Sequence, residues 1–261
     1  MWCKLGLATA RSILIVGLAG YALAGASAGP KRPLNEIPMY GGVTSPAQVR
    51  ADENFLEAVR KTGRSFSEAS EHALQRGWQA FGRRDLGSAM KRFNQAWLLN
   101  KQNGGVYWAF AIAVMVRDED FAASEKLFHR ALELIPDNPV LIQDLAKTLG
   151  MKGEKLRREG EETSAVESFT KSNEYYQKAL KVDQIADKAH AGMATNYLNL
   201  KNFGLAAHHA GLAIERGQGN EFEIVHIVKC LRRKGLELSD DPGVLPAFKA
   251  CERWVQSRSR Q

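Results

Sequence analysis

The sequence predicts an all-α fold, built as a stack of antiparallel helix pairs. Small and aromatic residues return at intervals close to 34: Gly77, Ala89, Phe93 and Ala96, then Phe121, Phe128, Ala131 and Pro136, then Gly192, Tyr197, Ala206 and Ala213. The segments that hold them carry apolar residues at helical spacing. A period of that length belongs to a helix-turn-helix unit stacked on copies of itself. Such a stack usually presents a surface to another molecule and carries no chemistry of its own.

Residues 1–28 read as an export signal. Lys4 and Arg11 form a short basic region without acids, and Ser12 to Ala24 is an apolar run of 13 residues. Ala26-Ser27-Ala28 then has the small-x-small form that a signal peptidase accepts. Thirteen residues span only about 20 Å as a helix, short of the roughly 30 Å hydrocarbon core. Cleavage after Ala28 makes the mature chain periplasmic or secreted. The alternative is an uncleaved membrane anchor over residues 12–28. Cys3 precedes the apolar run, which argues against lipidation.

Cleavage leaves two cysteines, Cys230 and Cys251, and an exported chain can pair them. Ser239-Asp240-Asp241-Pro242-Gly243 signals a turn between them, so antiparallel neighbouring helices are expected. A bridge closing that loop stabilises by about 3 kcal/mol on the chain-entropy model. Two buried free thiols are the other reading. His226 shares the helix face of Cys230, but no further ligand points to zinc.

The chain has 261 residues and a net charge of +7, which falls to +5 without Lys4 and Arg11. Basic residues alternate with acids in most segments, as on a solvated helix surface. No single stripe of positive charge with interleaved aromatics points to nucleic acid.

In chain order, Gly29 to Val49 is an irregular lead-in. Pro30, Pro33, Pro38 and Pro46 forbid a regular helix, while Ile37, Met39, Tyr40 and Val43 give it apolar handles, either for packing along the first helices or as a short recognition segment. Ala47 to Thr62 is a helix with Phe55, Leu56 and Val59 on one side. Residues 29–69 thus precede the repeats, and four units fill 70–220. The third, about 139–186, is longer. Ala179 lies 48 residues after Ala131 but 34 before Ala213, an excess of 14. Shared between two helices, that excess adds about two turns to each, with a bend near Gly160 to Ser164. A hairpin projecting from the stack is expected. Residues 221–257 form a closing helix pair, atypical because one of its faces meets water.

These residues resemble the tetratricopeptide repeat family. With a repeat starting at Ser70, Gly77, Ala89, Phe93 and Ala96 fall on the family's small and aromatic positions. With the next at Gly105, so do Trp108, Phe128, Ala131 and Pro136. With the fourth at Asp187, so do Ala194, Tyr197, Ala206 and Ala213. Ala80, Lys101, Ile112, Ser124 and Ala210 depart from the pattern. The small positions let helices approach closely, and the aromatics fill the space beside them.

The resemblance implies a right-handed superhelical solenoid whose inner face binds another protein. Carried over residue by residue, the family's inner-face positions are Glu71, Leu74, Trp78, Phe81 and Gly82 in the first unit and Val106, Ala109, Ala113, Val116 and Arg117 in the second. They are Val140, Gln143, Lys147 and Gly150 in the third, and Lys188, Ala191, Thr195, Leu198 and Asn199 in the fourth. The lysine-asparagine carboxylate clamp of some members is absent, because Leu74 and Trp78 stand at its first sites. An apolar groove suits an amphipathic helix or a mixed extended peptide.

No metalloprotease helix, nucleophile elbow, phosphate loop or paired-cysteine motif is present in the sequence. His208 and His209 point about 100° apart on a helix and cannot chelate one ion. The sequence therefore predicts a non-enzymatic adaptor of the cell envelope, without cofactor or metal, that helps assemble an envelope or secretion complex. The other readings are a self-associating scaffold, using the projecting third unit, and a cell-wall or glycan-binding module.

Overall fold

The computed structural model describes residues 32–43, 45–183, 189–217, 221–233 and 244–258. The expected export signal at 1–28 and the inner-face candidate Lys188 lie outside them. The described residues form eleven α-helices and two short 3-10 turns. The helices are α1 (Pro46–Lys61), α2 (Phe66–Gly82), α3 (Leu86–Leu99), α4 (Gly104–Asp118), α5 (Phe121–Leu134), α6 (Pro139–Arg158), α7 (Glu162–Val182), α8 (Ala189–Asn199), α9 (Phe203–Glu215), α10 (Glu221–Arg233) and α11 (Val244–Arg258). None is long and apolar enough to cross a membrane, among the described residues.

Helices α2/α3, α4/α5, α6/α7 and α8/α9 pack as antiparallel pairs, and the pairs stack in order. The fold is an all-α stack of antiparallel helix pairs, as the residue spacing predicts. One turn geometry recurs between the helices of a pair. A residue with left-handed backbone stands at Arg84, Glu119, Gly160 and Lys201, with φ of 63°, 50°, 86° and 58°. An N-cap residue follows at once. Asp85, Asp120 and Asn202 each accept a backbone hydrogen bond from the first turn of the next helix. These caps satisfy donors that no carbonyl within the helix can reach.

Close approach explains the small residues. A Cβ on Gly77 would lie 2.3 Å from the Phe93 ring, one on Gly153 2.8 Å from Phe169, and one on Gly192 2.3 Å from the Tyr176 ring. Each glycine is a socket for an aromatic side chain of the helix packed against it. Phe93 and Phe169 are fully buried in this way, and Phe110 and Phe128 are fully buried as well.

The extra length of the third unit is helical: α6 has 20 residues and α7 has 21, against 15 and 14 in α4 and α5. The projection is limited to the tip. Lys152 pairs with Glu125 at 3.0 Å, Lys155 lies over the Phe121 ring, and Arg157 donates to Asn199 Oδ1 at 3.0 Å. The extension is thereby braced against α5 on one side and α8 on the other. Only residues 158–164, around the Gly160 turn, are exposed throughout.

The lead-in runs along α3. Buried Asn94 accepts from Met39 N at 2.7 Å and donates to the carbonyls of Asn35 and Ile37. Glu36 pairs with Lys91 at 2.9 Å, and the Tyr40 ring meets Trp97 edge-on. Met39 and Tyr40 both have positive φ. That conformation costs roughly 1–2 kcal/mol per non-glycine residue, and the Asn94 bonds and the burial of Tyr40 offset it.

Both cysteines are free thiols, so the expected Cys230–Cys251 bridge is corrected. The reason is direction. α11 docks on α9, and buried Cys251 points its Sγ at the Ala207 carbonyl, 4.0 Å away. Cys230 Sγ lies 3.6 Å from His226 Nε2 on its own helix. Burial pushes the Cys251 thiol up to about 11.

Candidate functional site

The first helices of successive units touch directly: α2 with α4, α4 with α6, α6 with α8, and α8 with α10. Among the described residues no comparably close pairing joins α3, α5, α7 and α9 to one another. The first helices therefore form the inner layer, and the second helices spread around it.

Trp78 and Phe81 lie on the open side of α2, half-buried, with their rings edge-to-face at 5.5 Å. Trp78 also meets Phe93 beneath it at 5.3 Å and Trp108 of α4 at 6.4 Å. Trp108 donates its indole N–H to Asp144 of α6 at 2.9 Å. A ledge of aromatic rings thus crosses from α2 through α4 and is anchored on α6. Val116 and Met151 add exposed apolar groups on α4 and α6, and Val140 stands exposed in the first turn of α6. Lys147 is exposed on α6.

The positions expected on the inner face divide. Trp78, Phe81, Val116 and Lys147 are accessible. Leu74 is buried and meets the backbone of α4 at Gly105. Val106, Ala109 and Ala113 are fully buried, which corrects their assignment to the groove. Gln143 and Ala191 are buried as well. The cause is register. The core stripe of α4 is Tyr107, Phe110, Ala111 and Val114, one residue earlier than the repeat starting at Gly105 predicts. That places Trp108 and Ile112 on the open side.

Arg117 is half-buried and held by Glu36 O at 2.8 Å and by the Asp118 carboxylate. Asn199 is bound by Arg157. Both are thus engaged within the protein: Arg117 ties α4 to the lead-in, and Asn199 ties α8 to the end of α6. Sequence reasoning missed Trp108, Ile112, Asp144 and Met151 as surface groups. The Tyr107–Phe110–Ala111–Val114 spacing is the signal that would have found the first two.

A second cluster lies between α8 and α9. His190 and His209 stack, with Nδ1 atoms 3.0 Å apart, and Tyr197 also stacks on His209. Arg216 Nη1 is 2.8 Å from His190 Nε2. A guanidinium only donates. His190 therefore carries its proton on Nδ1 and gives it to His209 Nδ1, so both rings are neutral. Burial, with Arg216, His190 and His208 nearby, holds both imidazoles down at about 4. Among the described residues no group of three or more His, Cys, Asp or Glu is placed to hold a metal.

No family model matches the chain, and no curated protein matches it in sequence. Among solved structures the chain is similar to the crystal structure of MamA, at 16% identity, covering 67% of this chain and 96% of that one, with a TM-score of 0.44. It is also similar to PilF of Pseudomonas aeruginosa, at 13% identity, covering 76% and 99%, with a TM-score of 0.34. The repeat architecture rests on this chain's own helix pairing and residue spacing.

Proposed function

We propose that the protein is a non-enzymatic adaptor that binds a segment of another protein on the inner ledge of Trp78, Phe81 and Trp108. The observation behind it is the row of two tryptophans and a phenylalanine, each half-buried and in edge-to-face contact; α4 and α6, which carry and anchor Trp108, also expose Val116 and Met151. Half-buried aromatic rings on a rigid support are the groups that dominate interface energy when a partner covers them. The ledge offers apolar area, and Lys147 is exposed on α6, the helix whose Asp144 anchors Trp108. That composition suits an amphipathic helix or an extended peptide with alternating apolar residues. With residues 1–28 read as an export signal, the partner belongs to the cell envelope or a secretion complex.

The test is capture from a membrane-enriched extract, with the bound protein identified. Replacing Trp78 and Phe81 by Ala is expected to abolish capture while far-UV circular dichroism stays helical. Equal capture by the variant would sink the assignment of the ledge.

A further inference from the structure

α1 covers α2 and α3 without closing on them. None of its residues is buried; Phe55, Leu56 and Val59 pack on the core, and Arg60 lies over the Phe66 ring of α2. Beneath it, bounded by the lead-in, α2 and α3, lies a hollow of about 660 Å³. A smaller one of about 150 Å³ adjoins it, and Phe55, Arg76, Arg92 and Gln95 line both. The larger hollow falls within the size range of small-molecule sites.

Its chemistry is lopsided. Arg76 and Arg83 stand seven residues apart, two turns along the same side of α2. Arg92 of α3 faces the same space, and Arg64 lines the far end of the smaller hollow. Among the described residues no carboxylate comes within ion-pair distance, 4.0 Å, of any of these four arginines. Arg92 donates only to the neutral amide of Gln95. The other cation in the hollow, Lys91, is paired with Glu36.

The two acids that line the hollow have their own bonds. Asp85 caps α3 through Ser88 N, and Asp52 accepts from Gln48 and Tyr40 on the α1 side. The Ser88 bond, and after it Arg83 and Lys91, hold the Asp85 carboxyl below its ordinary range, so Asp85 offsets part of the charge of Arg83 while Arg76 and Arg92 keep the α2 and α3 walls positive. Several guanidiniums in one low-walled hollow focus a positive potential, and each offers the planar fork that fits a carboxylate or phosphate with two hydrogen bonds.

We propose that this hollow binds a small, multiply charged oxyanion, a polyphosphate or polycarboxylate metabolite, on the guanidiniums of Arg76, Arg83 and Arg92. Gln79 and Gln95 supply neutral donors on the same walls. The roof formed by α1 and the side closed by the lead-in favour a compact ligand over a peptide chain. The site is separate from the ledge. Trp78 and Gln79 are adjacent on α2 and point about 100° apart, one to the inner face and one to the hollow.

The test is titration calorimetry on the full chain at low ionic strength, with pyrophosphate and with citrate as probes. Saturable one-to-one binding of at least one probe is expected, weakening as salt rises. The double variant Arg76→Gln, Arg83→Gln should lose about tenfold or more in affinity, with unchanged circular dichroism because both side chains are exposed. Trp78→Ala should bind the probe as the parent does. Pyrophosphate without citrate identifies phosphate as the recognised group, and the reverse identifies carboxylate. Absence of saturable binding by both probes, or equal affinity in the double variant, overturns the proposal. So does binding of a glutamate-rich peptide with neither small probe.

Discussion

The two ends of the solenoid reach the same architecture with different interiors. In α2–α5 the interior is built from volume. Met90, Phe93, Phe110 and Phe128 are fully buried, and the rings form an edge-to-face series from Trp78 through Phe93 to Phe110. In α8 and α9 it is built from close approach. Ala194, Ala206, Ala207, Ala210 and Ala213 are fully buried, and between the two helices His190, His209 and Tyr197 stack. Large apolar rings packed edge to face give a core indifferent to pH. Alanine contacts bring the helices together but leave a stacked imidazole pair inside, so the C-terminal end depends on both imidazoles staying neutral. The aromatic end also carries the ledge, because Trp78 rests on Phe93.

The largest effect should come from the aromatic end. Phe93→Ala empties a fully buried site and is expected to cost about 3–5 kcal/mol. Denaturant melts measure it, and hydrogen exchange should accelerate in α2–α5 before α8–α11. Uniform acceleration along the chain would erase the distinction between the ends.

Acid should reverse that order. An imidazole whose folded-state value lies below its ordinary 6.5 favours the neutral ring in the folded protein. Its stabilising contribution is complete above 6.5 and is lost as pH falls from there to about 4. Hydrogen exchange corrected for intrinsic rate should show α8 and α9 loosening over that window while α2–α5 hold. Replacing His190 and His209 by Phe should remove the pH dependence, and its persistence in that variant would contradict the assignment.

A smaller effect is expected at one socket. Gly77→Ala sets a methyl 2.3 Å from the Phe93 ring, and the ring can move only by disturbing Trp78. The cost should be about 1–3 kcal/mol, read as a lowered denaturation midpoint. A midpoint equal to the parent's would show that the socket has slack.

The fold class was legible in the sequence because the repeat is written in residues that cannot be exchanged freely. Gly77 under Phe93 and Gly153 under Phe169 leave no room for a side chain. The longer third unit was legible as arithmetic in the positions of Ala131, Ala179 and Ala213. The ledge was half legible. Trp78 and Phe81 follow from the first unit's spacing. Trp108 does not, because Gly104-Gly105 lets the helix start be placed on either residue.

What stayed hidden depends on contacts between distant segments. Asn94 holds the lead-in across more than fifty residues, and nothing local to Asn94 signals it. His190 and His209 are 19 residues apart, and only the packing of α8 on α9 brings the rings together. Cys230 and Cys251 had suitable spacing for a bridge, but spacing does not say which way a thiol points.

The central claim is that the ledge of Trp78 and Trp108 is a binding surface for a protein segment, and selection from a displayed peptide library on the immobilised full chain tests it most directly. The account predicts enrichment of peptides with apolar residues at alternating or helical spacing, and their loss when Trp78 and Trp108 are both replaced by Ala in a chain that remains helical. Peptides that bind that variant as tightly as the parent, or that protect α3, α5 and α7 from hydrogen exchange in place of α2 and α4, would contradict it.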